Sequence, residues 1–205
     1  MDIAAIDSRL FASISGHAIS SKAKESYRQY TAFELTYGEV TPKAVETFLS
    51  RVNPKQGQVF YDLGSGTGKA VFYAALQFPF RKCVGVELVP DLHRASQEVL
   101  AIYDKEICQT LDDYRRTQEI SFIQGDMFDA DIADADIVFS HATCFGPDLL
   151  LRMRRTLEGM KPGAHAIIAN PLKIESDALE EILVEPCDMG WGTATLRYYR
   201  RIGGQ

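Results

Sequence analysis

The chain lacks the features that would tie it to a membrane, a metal or a nucleic-acid backbone. No stretch of its 205 residues approaches the roughly 20 apolar residues needed to cross a bilayer. The opening MDIAAIDSRL carries Asp2 and Asp7 where a secretory leader needs a basic start. Four cysteines, Cys83, Cys108, Cys144 and Cys187, form no C-x-x-C pair and have no histidine at ligand spacing. They read as reduced side chains in a reducing compartment, so the expected location is cytoplasmic and no metal is expected. A basic excess is missing too: 22 Lys and Arg stand against 28 Asp and Glu, a net charge of −6. Strong DNA binding through a broad basic surface is therefore not expected, nor is a membrane partner. Repeats and low-complexity tracts are absent, and at 46% apolar residues the chain can bury one core without disulfide or metal.

What the chain does contain is a run of alternating helix and strand signals. In TPKAVETFLSRV, Thr41 sits as an N-cap, Pro42 takes the first helical position, and Val45, Phe48, Leu49 and Val52 repeat at helical spacing. QVFYDL then reads as a buried strand and GKAVFYAALQF as the helix that leaves it. KCVGVEL is the next strand, and Pro90 opens a long helix with Leu92, Ala95, Val99 and Ile102 on one face. EISFIQGD, DADIVFSH and GAHAIIAN follow as strands, with a helix from about Asp148 to Met160 between the last two. Alternation from Gln58 to about Asn170 predicts an α/β fold with a mostly parallel, doubly wound sheet and a site at the strands' carboxyl ends. The tail CDMGWGTATLRYYRR predicts an antiparallel strand pair joined by a glycine-containing turn. Residues 1–40 are expected to form a small helical lid, with a helix near Lys22 to Phe33 whose Tyr27, Tyr30 and Phe33 pack over the sheet; residues 41–205 form the main domain.

At the first strand-to-helix turn stands YDLGSGTGKA, with Gly64, Gly66 and Gly68 at alternate positions. Without a Cβ, such a turn lets backbone amides approach a ligand closely. The phosphate templates fail on spacing. A Walker loop needs glycine where Leu63 stands and Ser or Thr where Ala70 stands, and the dinucleotide fingerprint G-x-G-x-x-G finds Lys69 in place of its third glycine. Asp62 precedes the turn, and its carboxylate repels a pyrophosphate but attracts a cation. Glu87 ends the second strand, placed to accept from ribose hydroxyls. Asp126 ends the third in QGDMF, where it can meet an adenine amino group while Met127 lies against the base. Taken singly, Glu87 and Asp126 read equally as solvated caps. Together, the three carboxylates frame an adenosine with a positively charged tail, and S-adenosyl-L-methionine fits that description.

Several segments carry a family resemblance. YGEVTPKAV, FYDLGSGTGKAVF, GVEL, QGDMF, IVFSHATCFGPDLLLRMRRTLEGMKPGAHAI and GWGTATLRYY resemble, in order and spacing, the non-SET histone lysine methyltransferases of the disruptor-of-telomeric-silencing (Dot-like) type. The similarity runs from roughly Tyr27 to Tyr199. It implies a Rossmann-like class I methyltransferase fold, S-adenosyl-L-methionine as cofactor, and a protein substrate presenting a lysine. By the same resemblance, the loop Tyr37, Gly38, Glu39, Val40 and Thr41 folds over the methionine portion of the cofactor. Asp62, Gly64, Ser65, Gly66, Gly68, Glu87, Asp126 and Met127 occupy cofactor-binding positions, and Phe139, His141, Thr143, Phe145, Trp191 and Tyr198 match the lining of the lysine channel. The chain departs from the family where two asparagines and a phenylalanine give way to His141, Ala142 and Thr143, and where Val40 replaces a threonine. A Lys-rich extension, which assists nucleosomal DNA binding in the family, is not in this sequence.

The channel residues suit the chemistry. A lysine must lose its proton before it can attack a methyl group, and an aromatic lining disfavours the charged ammonium while its π faces tolerate a cation. His141, with an ordinary pKa near 6.5, reads as an acceptor-orienting group or a base, or else as a hydrogen-bonded brace for the loop that follows it. Tyr198 is a channel residue or a strand core residue, and Cys144 a small filler. Arg152, Arg154 and Arg155, like Arg197, Arg200 and Arg201, read as solvated faces or as a docking patch for an acidic partner. Two rival functions remain open: a methyltransferase for a small molecule or nucleic acid, and a non-catalytic sensor of the cofactor.

Overall fold

The computed structural model describes residues 2–23 and 37–203. Seven strands form one sheet in the order β3-β2-β1-β4-β5-β7-β6. Five are parallel: β1 (Val59–Leu63), β2 (Lys82–Glu87), β3 (Glu119–Gln124), β4 (Ile137–Ser140) and β5 (His165–Ala169). β7 (Thr193–Arg201) inserts antiparallel between β5 and the edge strand β6 (Leu179–Asp188). The expected antiparallel tail is present, but its first strand begins at Leu179, well before Cys187. The acidic stretch Leu179 to Asp188 has little periodic signal and becomes a strand through its pairing with β7, which a bulge interrupts between Glu181 and Leu183.

Period-two alternation sends successive residues of each strand to opposite faces. Phe60, Phe139, Ile167 and Tyr198 join one core with residues of α1 (Ile3–Phe11), α3 (Pro42–Val52), α4 (Lys69–Gln77) and α5 (Pro90–Ile102). Val59, Tyr61, Val138, Ile168 and Tyr199 form the other, with Met153 and Leu157 of α7 (Pro147–Glu158). The start of α3 follows its sequence signal: Thr41 Oγ1 accepts from Ala44 N at 3.1 Å, and Val45, Phe48 and Leu49 are buried. A short α6 (Asp113–Arg116) precedes β3.

The N-terminal segment is mostly helical over its described residues. It forms α1 and α2 (Gly16–Ala23), neither of which has a strong periodic signal. The helix expected near Lys22 to Phe33, with Tyr27, Tyr30 and Phe33, lies beyond Ala23 outside the described residues. α1 is fastened by its side chains. Leu10 is fully buried, Phe11 packs edge-on to Phe72 and Tyr73, and Asp7 accepts from the Tyr73 hydroxyl. The segment thus contributes to the main core as well as covering the site. Among the described residues, no helix is long and apolar enough to cross a membrane.

Candidate active site

The turns that follow β1 to β4 enclose one cavity, covered from above by Ser20 of α2 and the loop Tyr37 to Val40. Strand order gives the cavity a direction. Asp126 and Met127 follow β3 at one end, Glu87 closes β2, Asp62 lies on β1, and Phe139 of β4 and His141, just past its end, stand at the other end. In the ladder Asp62 stands between Gly85 of β2 and Phe139 of β4.

The glycine turn is anchored by the neighbouring strand. Gly64 N and Ser65 N donate to the Val86 carbonyl at 2.9 and 3.0 Å, and Gly68 N donates to the Ser65 carbonyl at 2.8 Å. Gly66 takes φ +56°, and a Cβ there would fall 2.6 Å from the Tyr37 ring, so a side chain would dislodge the covering loop. Gly68 is also left-handed, at φ +91°, but it does not line the cavity. A Cβ at Gly68 would strike Phe122 at 2.5 Å, so the core beneath α4 demands this glycine.

The electrostatics concentrate on Asp62 and Glu87, both buried. Burial, aided by repulsion from Glu87, pushes the Asp62 carboxyl up to about 8, and its Oδ1 has no partner among the described residues. Glu87 is also raised by burial, opposed by backbone amides: Oε2 accepts from Gly66 N at 2.7 Å and Oε1 from Val89 N at 2.8 Å. Each carboxylate oxygen has a second lone pair, so Glu87 can brace the turn and still accept from a ligand hydroxyl. Asp126 is more committed than the sequence suggests. Its Oδ1 accepts from Phe128 N at 3.0 Å and its Oδ2 pairs with Arg152 at 2.9 Å, while the Arg152 guanidinium lies over the Phe128 ring.

The covering loop is held by a polar chain. The Tyr37 hydroxyl donates to Glu39 Oε1 at 3.0 Å and lies 3.0 Å from Thr67 Oγ1. Lys69 Nζ donates to Glu39 Oε2 at 2.7 Å. Thr41, expected in the cofactor loop, does not line the cavity; its hydroxyl is the cap of α3.

At the acceptor end the expected residues divide. Phe139, His141 and Phe145 line the cavity, with Phe139 stacked on Phe48 at 4.5 Å between ring centres. Trp191 is half exposed and stands edge-on to His141. Thr143 is absent from the lining, and its hydroxyl faces Cys144 Sγ at 3.9 Å. Of its two readings, Tyr198 takes the strand-core one. It is fully buried between α3 and β6, with its hydroxyl donating to Glu185 at 2.9 Å. The two tyrosines of W-x6-YY point to opposite faces of β7, and neither reaches the cavity. The ordinary pKa expected of His141 is also corrected. Burial pulls it down to about 4, and its Nε2 has no partner among the described residues.

Most of the arginines read as possible docking patches are paired: Arg152 with Asp126, Arg154 with Glu158, Arg197 with Glu181 and Arg200 with Glu180. Sequence reasoning missed Ser20, Lys69, Val89 and Leu92 in the cavity wall. For Lys69 a signal existed, since a cation immediately follows a turn otherwise lined with carboxylates.

The residues fit an adenosyl cofactor with a cationic tail. An unpartnered buried carboxyl oxygen calls for a cation, and the glycine turn admits close backbone approach. The fold is therefore that of the class I methyltransferases, and the lining of the site suits S-adenosylmethionine. Solved structures share the architecture. An RNA methyltransferase from Salinibacter ruber, in complex with S-adenosyl-L-homocysteine, matches with TM-score 0.57 and 22% identity, covering 82% of this chain and 96% of that one. A putative methyltransferase from Escherichia coli matches with TM-score 0.63 at 14% identity, over 82% and 89%.

The chain belongs to the family described as histone methylation protein DOT1, whose model matches residues 16–185. It is similar to the H3 lysine-79 specific histone-lysine N-methyltransferase of Dictyostelium discoideum, 31% identical over 150 residues, covering 71% of this chain and 8% of that protein. The protein of the same description from Drosophila melanogaster is 26% identical over 148 residues, covering 70% and 8%. The chain thus spans only a small part of the length of these relatives.

Proposed function

We propose that this chain transfers a methyl group from S-adenosylmethionine to the side-chain amine of a lysine on a protein. The observation that carries the proposal is Asp62, a buried carboxylate with an unpartnered oxygen at the centre of a cavity whose far wall is aromatic. When bound, the cofactor supplies an electrophilic methyl group on a sulfonium. The chain's own residues hold and orient. Asp62 neutralises the cationic tail, Glu87 accepts from the ribose, and Met127 and Val89 present apolar surface to the base. Tyr37 and Glu39 close the site above the glycine turn.

Displacement at a methyl group needs alignment and exclusion of water more than proton relay. Phe139 and Phe145 provide an apolar approach that favours the neutral amine. With its pKa near 4, His141 is neutral at ordinary pH. It adds no charge beside the acceptor, and its free Nε2 accepts an N–H, which aims the nitrogen lone pair. A base this weak cannot retain a lysine proton, so the proton leaves to solvent. Homology to relatives named as histone-lysine methyltransferases supports a lysine acceptor. We also place the enzyme in the cytoplasm, on the spacing of its four cysteines.

A small-molecule or nucleic-acid acceptor is the second reading, favoured by the same neutral His141, which accepts from a hydroxyl or a ring N–H as readily. The test is incubation with isotopically labelled donor and fractionated lysate, then mass spectrometry of labelled species. Label on a protein lysine supports the proposal. Label confined to low-mass or nucleic-acid fractions supports the second reading, and tight cofactor binding with no product in any fraction leaves a sensor.

A further inference from the structure

An amine nitrogen has four positions around it, and the acceptor end makes two demands on those of a lysine. One position carries the side chain. Transfer needs a second as a lone pair: the nitrogen forms a bond to the methyl carbon while the carbon–sulfur bond breaks, sulfur keeps the electron pair, and the new ammonium sheds a proton to solvent. His141 makes the other demand. Its Nε2 is buried and has no partner among the described residues. A buried acceptor left unpartnered is destabilising, so an amine that meets this nitrogen is held through an N–H. We propose that His141 limits the enzyme to two methyl groups per lysine, because its Nε2 requires an N–H that a dimethylated amine lacks when its lone pair faces the donor. This rests on the reading of the chain as a protein-lysine methyltransferase.

The count follows from the nitrogen. A primary amine meets both demands with one N–H to spare, and a secondary amine meets both with its last N–H. In a tertiary amine one position remains beyond the three carbons. It is either a lone pair, which leaves Nε2 without a donor, or a proton given to Nε2, which leaves nothing to attack with. The surroundings keep His141 in this role. The ring donates to the residue's own backbone carbonyl, and since Nε2 is unpartnered that donor is Nδ1, which leaves the lone pair on Nε2. The imidazole has no room to swing aside: Trp191 stands edge-on with 5.3 Å between ring centres, and a Cβ on Gly38 would fall 2.7 Å from Cε1. Phe139 and Phe145, which share this end of the wall, carry no polar side-chain atom that could take over the N–H.

The test counts methyl groups. The full chain is incubated to exhaustion with a heat-treated total protein extract and a donor carrying a trideuterated methyl group, and the hydrolysate is read by mass spectrometry for labelled mono-, di- and trimethyl-lysine. The wild-type chain should stop at dimethyl-lysine, its third transfer about 10- to 100-fold slower than its second, the range for a buried acceptor left unpartnered. His141→Leu removes the acceptor; it should slow the first transfer yet carry lysine through to the trimethyl form. His141→Gln, whose side-chain oxygen accepts in place of Nε2, should restore the stop. Nitrogen NMR of histidine-labelled protein reads the ring apart from activity, and His141 should carry its proton on Nδ1 from about pH 6 to about pH 9. Thermal melting establishes that the variants fold, and if either does not, the wild-type product and the NMR decide. Mono- or trimethyl-lysine as the wild-type end product, a stop that persists in His141→Leu, its loss in His141→Gln, or a proton on Nε2 overturns the inference while the lysine reading stands. Labelled product without any methyl-lysine sinks the lysine reading and the inference with it.

Discussion

His141 stands edge-on to Trp191, with ring centres 5.3 Å apart and planes at 85°, and Gly38 of the covering loop lies against both. A Cβ at Gly38 would fall 2.7 Å from His141 Cε1 and 3.3 Å from Trp191 Nε1. The acceptor end is therefore closed by contact between three separate chain segments. Gly38→Ala should lower turnover by pushing the imidazole aside, with little change in melting temperature. A Gly38→Ala enzyme with wild-type turnover would show that this contact does not shape the acceptor site.

The neutral state of His141 has a pH signature. Because burial holds its pKa near 4, the ratio of wild-type to His141→Asn turnover should be flat from about pH 6 to about pH 9. Turnover itself should drop about tenfold or more, with cofactor affinity kept within about twofold. An inflection near the ordinary histidine pKa that disappears in His141→Asn would make the residue a base instead.

Asp62 links stability to pH. Its carboxyl rises from 3.8 to about 8 on folding, so the folded protein holds this proton more tightly than the unfolded chain does. The stability that follows is complete below about pH 4 and is lost as pH rises towards about 8. The melting temperature of the cofactor-free protein should fall across that window, and Asp62→Asn should flatten the slope. Pairing with a cationic tail requires the ionised form, so cofactor binding below about pH 8 should release a proton. Calorimetry in buffers of different ionisation enthalpy measures that release.

Gly66→Ala tests the covering loop. The left-handed φ and the 2.6 Å approach to Tyr37 mean that an added methyl must displace the ring or the turn. Cofactor affinity should fall by about tenfold or more, and combining the change with Tyr37→Ala should give less than the sum of the two losses.

Tyr198→Phe separates a core residue from a channel residue. Loss of the hydrogen bond to Glu185 should cost about 1 kcal/mol of stability and leave turnover unchanged. Reduced turnover at unchanged stability would return Tyr198 to the acceptor site.

The parallel sheet and the cofactor end were legible because their signals are local. Thr41-Pro42 caps α3, apolar runs give the strands, and each strand-end carboxylate sits one turn from its glycine or helix. The acceptor end was less legible. Trp191 reaches His141 only because β7 inserts between β5 and β6, and nothing near Trp191 in the chain reports that order. α1 and α2 escaped notice because they are short and draw their stability from contacts such as Phe11 on Phe72 and Ile19 beside Val89 and Leu92.

By itself, the order of residues determined the alternating fold and the kind of ligand its first turn accepts, since hydrophobic period, caps and strand-end charge act over a few neighbours. Tertiary structure decided which of those charges lack a partner, and which aromatic side chains reach the cavity. Burial and pairing depend on segments far apart in the chain: Asp62 keeps one oxygen without a partner among the described residues, Asp126 is taken up by Arg152, and Tyr198 turns into the core.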